Sequence, residues 1–117
     1  MPRTVLIVDD HASFRSAARM LLELEGYEVI GEAVDGEDGV RRARELAPDL
    51  VLLDVQLPGM NGFEVAARLT ADGRAPSIVL TSSHDSADFG RLIAGSGARG
   101  FIPKAELSGD RIAALLA

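Results

Sequence analysis

A chain of 117 residues with no cysteine excludes disulfides, thiolate metal sites and cysteine nucleophiles. Its formal net charge of −6 disfavours nonspecific affinity for nucleic acid or anionic membrane, since phosphate binding rests on clustered Lys and Arg. No apolar run reaches the length needed to span a bilayer and the N-terminus lacks a signal-peptide core, so one soluble, cytoplasmic domain over residues 1–117 is expected.

The chain alternates apolar runs with amphipathic stretches. Thr4–Val8 reads as a buried strand ending in Asp9-Asp10, and residues 12–25 as a helix with Phe14, Ala17, Ala18, Leu21, Leu22 and Leu24 on its apolar side, stopped by Gly26. Tyr27–Ala33, interrupted by Glu28 and Glu32, reads as a strand at or near a sheet edge. Glu37–Ala47 is a helix ended by Pro48. Leu50-Val-Leu-Leu-Asp54 is four apolar residues running into one carboxylate, the pattern of a strand buried on both faces. The Pro58–Gly62 loop, a helix over Phe63–Ala71 and a buried strand over Ser77–Ser82 follow. Asp85 or Ser86 caps a helix running to about Ala94, weakened by the interior Gly90. Arg99–Ile102 is a last short strand closed by Pro103-Lys104, and Ser108 caps a final helix carrying Ile112, Leu115 and Leu116.

Five strand–helix pairs with brief connections predict an α/β fold: a parallel sheet with helices on both faces, joined by right-handed crossovers. In such a sheet the carboxyl ends of the strands share one rim, where ligands bind. Asp9 and Asp10, then Asp54, then Thr81 and Ser82, then Lys104 all fall on it. Lys104 is the single lysine beside eleven arginines, and a compact ammonium is not interchangeable with a broad guanidinium fork. Three carboxylates brought together repel, and the usual remedies are a raised pKa or a bound cation. Oxygen-only donors point to a hard ion, Mg²⁺, which takes one or two carboxylates, waters and phosphate oxygens. With a hydroxyl and an ammonium beside it, Asp54 is placed to act as a nucleophile and become an aspartyl phosphate.

Val8-Asp9-Asp10, Leu53-Asp54-Val-Gln-Leu-Pro-Gly-Met-Asn-Gly62, Thr81-Ser82 and Gly97-Ala-Arg-Gly-Phe-Ile-Pro-Lys104 together resemble the receiver domain of two-component response regulators, and the resemblance covers essentially the whole chain. It implies a flavodoxin-like, doubly wound sheet of order 2-1-3-4-5. It implies that Asp54 takes a phosphoryl group from a sensor histidine kinase or a phosphotransfer protein. Asp9, Asp10 and Asp54 then hold Mg²⁺ with the backbone carbonyl of Gln56. Lys104 contacts the phosphoryl group, Ser82 is the switch hydroxyl, and Phe101 is the switch aromatic. Thr81 stands one position too early for the switch role. The surface of the fourth helix, fifth strand and fifth helix is the face that changes, toward an output domain, an effector protein or a second copy of the chain. No direct nucleic-acid or membrane binding is implied, and no enzyme beyond a phosphoacceptor that assists its own phosphorylation and dephosphorylation. Three positions depart from the commonest pattern: Asn61 replaces Asp, Ser83 replaces a small Ala beside the phosphate, and Ala105 replaces a Pro that follows the Lys in a cis bond.

Other features have plain readings. His11 and His84 are expected as solvated loop residues, Arg41-Arg42-Ala-Arg44 as a solvated helix face, and Phe14, Phe63 and Phe89 as packing residues. Met60 could gate the site. Two other functions compete with a free-standing switch. In a DNA-binding transcription factor, the helix-turn-helix part would lie beyond residue 117. In an aspartyl-phosphate enzyme, a second Asp is commonly needed two residues after the nucleophile, and here that residue is Gln56. Nucleotide binding ranks below both, for want of a Gly-rich loop ending in Gly-Lys-Ser or Gly-Lys-Thr.

Overall fold

The computed structural model describes residues 3–73, 75–83 and 89–116. In chain order the elements are β1 (Thr4–Val8), α1 (Ala12–Leu24), β2 (Glu28–Ala33), α2 (Gly36–Leu46), β3 (Leu50–Asp54), α3 (Gly62–Ala71), β4 (Ser77–Ser82), α4 (Gly90–Gly95), β5 (Gly100–Pro103), a 3₁₀ turn (Lys104–Glu106) and α5 (Gly109–Leu116). The strands form one parallel sheet in the order β2-β1-β3-β4-β5, as the resemblance implied.

Strand alternation sorts the apolar residues into two layers. Leu6, Val8, Val51, Leu53, Ile78 and Leu80 face α2 and α3, where Val40, Ala43, Val65, Ala66 and Leu69 cover them. Val5, Ile7, Leu50, Leu52, Val79 and Ile102 face α1 and α5, against Ala18, Leu22, Ile112 and Leu116. Every residue of β3 is buried, the consequence of a central position with helices on both sides. The two outermost strands are β2 and β5. Glu28 and Glu32 are tolerable in β2 for that reason, and so is Pro103 in β5, where a missing N–H breaks no inner ladder.

Several boundaries differ from expectation. Helix α2 stops at Leu46, and Ala47 closes it in the left-handed region (φ 47°, ψ 56°), because a residue before Pro is disfavoured as a further helical residue. Helix α4 has no buried residue, and its expected cap, Asp85 or Ser86, lies outside the described residues, as does His84. The Arg111 N–H bonds Ser108 Oγ at 3.1 Å, so Ser108 caps α5 as its position predicted. Asn61 caps α3 by accepting from the Glu64 N–H at 3.0 Å, a task Asp performs equally well. The Lys104–Ala105 bond is trans. Met60 packs against the layer between the sheet and α2 and α3.

Candidate functional site

The rim where β1, β3 and β5 end carries the expected side chains. Asp9 follows β1, tied by its N–H to the Ala33 carbonyl of β2 at 3.0 Å. Asp54 is the last residue of β3 and pairs in register with Thr81 of β4. Paired residues of adjacent parallel strands point to the same face, here the α1 and α5 side. Lys104 comes just after β5, two positions beyond Ile102, and so lies on that face too.

The charges meet closely. Lys104 Nζ stands 2.7 Å from Asp9 Oδ2 and 3.4 Å from Asp54 Oδ2. The shorter contact is an ion pair outside hydrogen-bond geometry, so Asp9 Oδ2, buried within the fold, makes no hydrogen bond there. The ammonium also lies 4.5 Å from the centroid of the Phe14 ring, a cation–π contact. Gln56 enters through its backbone, its N–H donating to Asp54 Oδ1 at 3.1 Å. Burial pushes the Asp54 carboxyl above the ordinary aspartate value of 3.8. The Gln56 N–H opposes that, the Asp9 charge adds to it, and Lys104 opposes it again, with the balance remaining upward.

One ligand atom each from Asp9, Asp10, His11 and Asp54 lie within 4.8 Å of one another. Three of these are carboxylates, two of them on residues almost wholly buried. That donor set, including a buried carboxylate oxygen without a hydrogen bond, suits a hard divalent cation such as Mg²⁺.

Ser82 and Phe101 occupy strand positions that alternate with this face. Ser82 is fully buried at the end of β4, and by alternation it follows Ile78 and Leu80 onto the α2 and α3 side. Phe101 pairs in register with Leu80 and packs against the same layer. Its ring centroid is 6.1 Å from that of Phe89, which is 5.7 Å from Phe63. Thr81 Oγ1 is buried without a hydrogen bond.

Three residues contribute more than the sequence reading allowed. His11 is exposed in its loop as expected, but its ring also turns toward the acidic cluster. Its side chain is 61% exposed, yet Nδ1 sits 3.0 Å from Asp9 Oδ1 and 3.1 Å from Asp10 Oδ1. Phe14, read as packing, is also the ring against Lys104. Arg15 donates through Nε to Glu32 at 2.9 Å and through a terminal nitrogen to the Asp9 carbonyl at 2.8 Å, bracing the end of β1 against β2. The available signal was helical spacing: residues three and four beyond the N-cap His11 return to the same rim. The arginine cluster of α2 is the expected charged helix face, with Arg41 and Arg42 on Asp38, Arg41 also on Glu45, and Arg44 on Asp72.

Comparison with known proteins agrees with this geometry. BvgA of Bordetella pertussis, a transcription regulator of virulence factors, is 44% identical over 106 residues, covering 91% of this chain and 51% of that protein. The chain thus spans about half the length of the curated relatives it matches. A LuxR-family two-component response regulator from Aurantimonas superposes with a TM-score of 0.86 at 33% identity, covering 99% of this chain and 86% of that one. The signal receiver domain of a modulated diguanylate cyclase from Desulfovibrio desulfuricans also gives 0.86, at 31% identity, over 99% and 91% of the two chains. No helix among the described residues is long and apolar enough to cross a membrane. The sequence profile of the response regulator receiver domain matches residues 5–116, and the chain belongs to that family.

Proposed function

We propose that the whole chain is one receiver module in which Asp54 is the phosphoacceptor. An Asp54 carboxylate oxygen attacks the phosphorus of a phosphohistidine on a sensor histidine kinase or phosphotransfer protein. An O–P bond forms, the P–N bond breaks, and the imidazole leaves with the electron pair. The observation that carries this reading is the meeting of Lys104 with both Asp9 and Asp54 at 2.7 and 3.4 Å. An ammonium on that rim can follow the charge as it moves from carboxylate to phosphoryl oxygens.

Asp9, Asp10 and Asp54, with the Gln56 carbonyl, would hold Mg²⁺. When bound, that ion offsets carboxylate repulsion and charge on the phosphoryl oxygens. Ser82 is the hydroxyl that moves toward the phosphoryl group. Phe101, on the same side of the sheet, turns into the space this opens, and the α4-β5-α5 surface changes as a result. That surface then acts on an output domain or effector in the cytoplasm, and the chain itself catalyses no turnover of a separate substrate.

Intact mass spectrometry with acetyl phosphate and Mg²⁺ tests the reading. One added phosphoryl group is expected on the wild type and none on Asp54→Asn. Modification surviving in that variant ends the assignment.

A DNA-binding output is the favoured form of the switch, because the matched relatives include the transcription regulator BvgA and the chain covers only 51% of it. The measurement is whether the gene encodes a helix-turn-helix part in the same reading frame. A different output type, as in the diguanylate cyclase neighbour, would displace this form.

A further inference from the structure

His11 is the one nitrogen donor in the acidic cluster found among the described residues. Its backbone has extended N-cap geometry (φ −96°, ψ 109°), and its N–H bonds Asp9 Oδ1 at 2.8 Å. That bond folds the Asp9-Asp10-His11 turn back on itself and aims the ring inward. Nδ1 then lies 3.0, 3.1 and 4.0 Å from oxygens of Asp9, Asp10 and Asp54 and 3.4 Å from Lys104 Nζ. The side chain is more than half exposed, so small ring rotations cost little packing.

A nitrogen beside three carboxylates changes which ions the pocket prefers. Mg²⁺ demands oxygen donors and gains little from imidazole, whereas Co²⁺, Ni²⁺ and Zn²⁺ bind it well. The geometry points to His11 Nδ1 as a ligand for a first-row transition ion in this pocket, while Mg²⁺ is held there by oxygens alone. The inference rests on reading the pocket as a cation site. Either ion meets the same competitor, since Lys104 already neutralises Asp9 at 2.7 Å. The selectivity therefore comes from the imidazole.

Isothermal titration of Ni²⁺ and of Mg²⁺ into the wild type, His11→Ala and His84→Ala decides it. Expected are one Ni²⁺ per chain, a loss of at least about tenfold in Ni²⁺ affinity in His11→Ala, and Mg²⁺ affinity held within about twofold. His84→Ala should leave both ions unchanged. Imidazole NMR signals of His11, and not of His84, should broaden on sub-stoichiometric Ni²⁺. Unchanged Ni²⁺ affinity in His11→Ala, an equal loss for both ions, or a loss that follows His84 would overturn the inference. Failure of Mg²⁺ to bind the wild type would instead sink the cation site of the proposed function, with the Ni²⁺ comparison still judging His11.

Discussion

Lys104 is held more closely by Asp9, at 2.7 Å, than by Asp54, at 3.4 Å. The ammonium therefore occupies the side of the pocket that a divalent ion would use, and the two cations compete for Asp9. Removing the lysine charge should strengthen Mg²⁺ binding. In Lys104→Met the gain should be several-fold, up to about tenfold, since ~1.4 kcal/mol of lost competition is a modest share of a buried charge pair. Lys104→Arg keeps the competing charge and should show no such gain, while failing to switch because a planar fork does not fit against both carboxylates and the Phe14 ring. Mg²⁺ titration of the three proteins reads this directly, and equal affinities in all three would refute the competition.

Two carboxylates near this rim should leave opposite marks on stability against pH. Burial holds the Asp54 carboxyl above 3.8, so the folded state binds that proton more tightly than the unfolded chain does. The resulting stability is present in acid and is lost as pH rises through the raised value. Asp54→Asn should thus match the wild type below pH 3.8 and exceed it at neutral pH. Glu32 runs the other way. Burial pushes it up, but hydrogen bonds from Arg19 and Arg15 outweigh that and leave it below its ordinary 4.5. Its stability is present above 4.5 and lost as pH falls through the lowered value, so the deficit of Glu32→Gln at neutral pH should close in acid. Urea melts with chelator across pH 3 to 8 check both signs.

The rim was legible because it depends on few things. An apolar run such as Leu50–Leu53, bounded by turn signals, fits an inner strand, and the residue after it, Asp54, then emerges at the edge where Lys104 also emerges. Side-chain direction was less legible. Exposure for His11 follows from its loop position, but its inward Nδ1 depends on one backbone bond to Asp9 Oδ1 that no periodicity encodes. Arg15 and Glu32 meet only because β2 lies next to β1, a tertiary fact invisible in either local sequence. The αL turn at Ala47 was hidden for a related reason. Pro48 forbids continuing the helix but leaves open how the chain departs from it.

Gly62 supports Asp54 from behind. Its N–H bonds the Val55 carbonyl at 3.0 Å, and a Cβ there would run into the Asp54 carbonyl oxygen and come within 2.7 Å of Val55 Cα. Backbone cannot yield as a side-chain tip can. Gly62→Ala should cost about 2 kcal/mol or more in urea denaturation and slow phosphorylation by shifting the end of β3. Gly73, with open space around its Cα, is the control, and Gly73→Ala should change stability by less than about 0.5 kcal/mol. Equal effects at the two positions would show that the close approach at Gly62 is relieved cheaply.

Phe101 packs on the side of the sheet away from Asp54, its ring tilted against that of Phe89 with centroids 6.1 Å apart. Acceptance of the phosphoryl group and transmission of it should therefore separate. Phe101→Ala should be phosphorylated by acetyl phosphate at a rate within about twofold of wild type, the effect of well under 1 kcal/mol expected away from the reacting atoms. Its amide NMR signals along α4, β5 and α5 should then fail to make the shifts the wild type makes on phosphorylation. Ser82→Ala should give the same silent surface if the proposed switch runs from that hydroxyl to the ring, since both lie on one side of the sheet by strand alternation. If the surface still responds in Phe101→Ala while Ser82→Ala silences it, the ring is packing and the signal leaves β4 by another path.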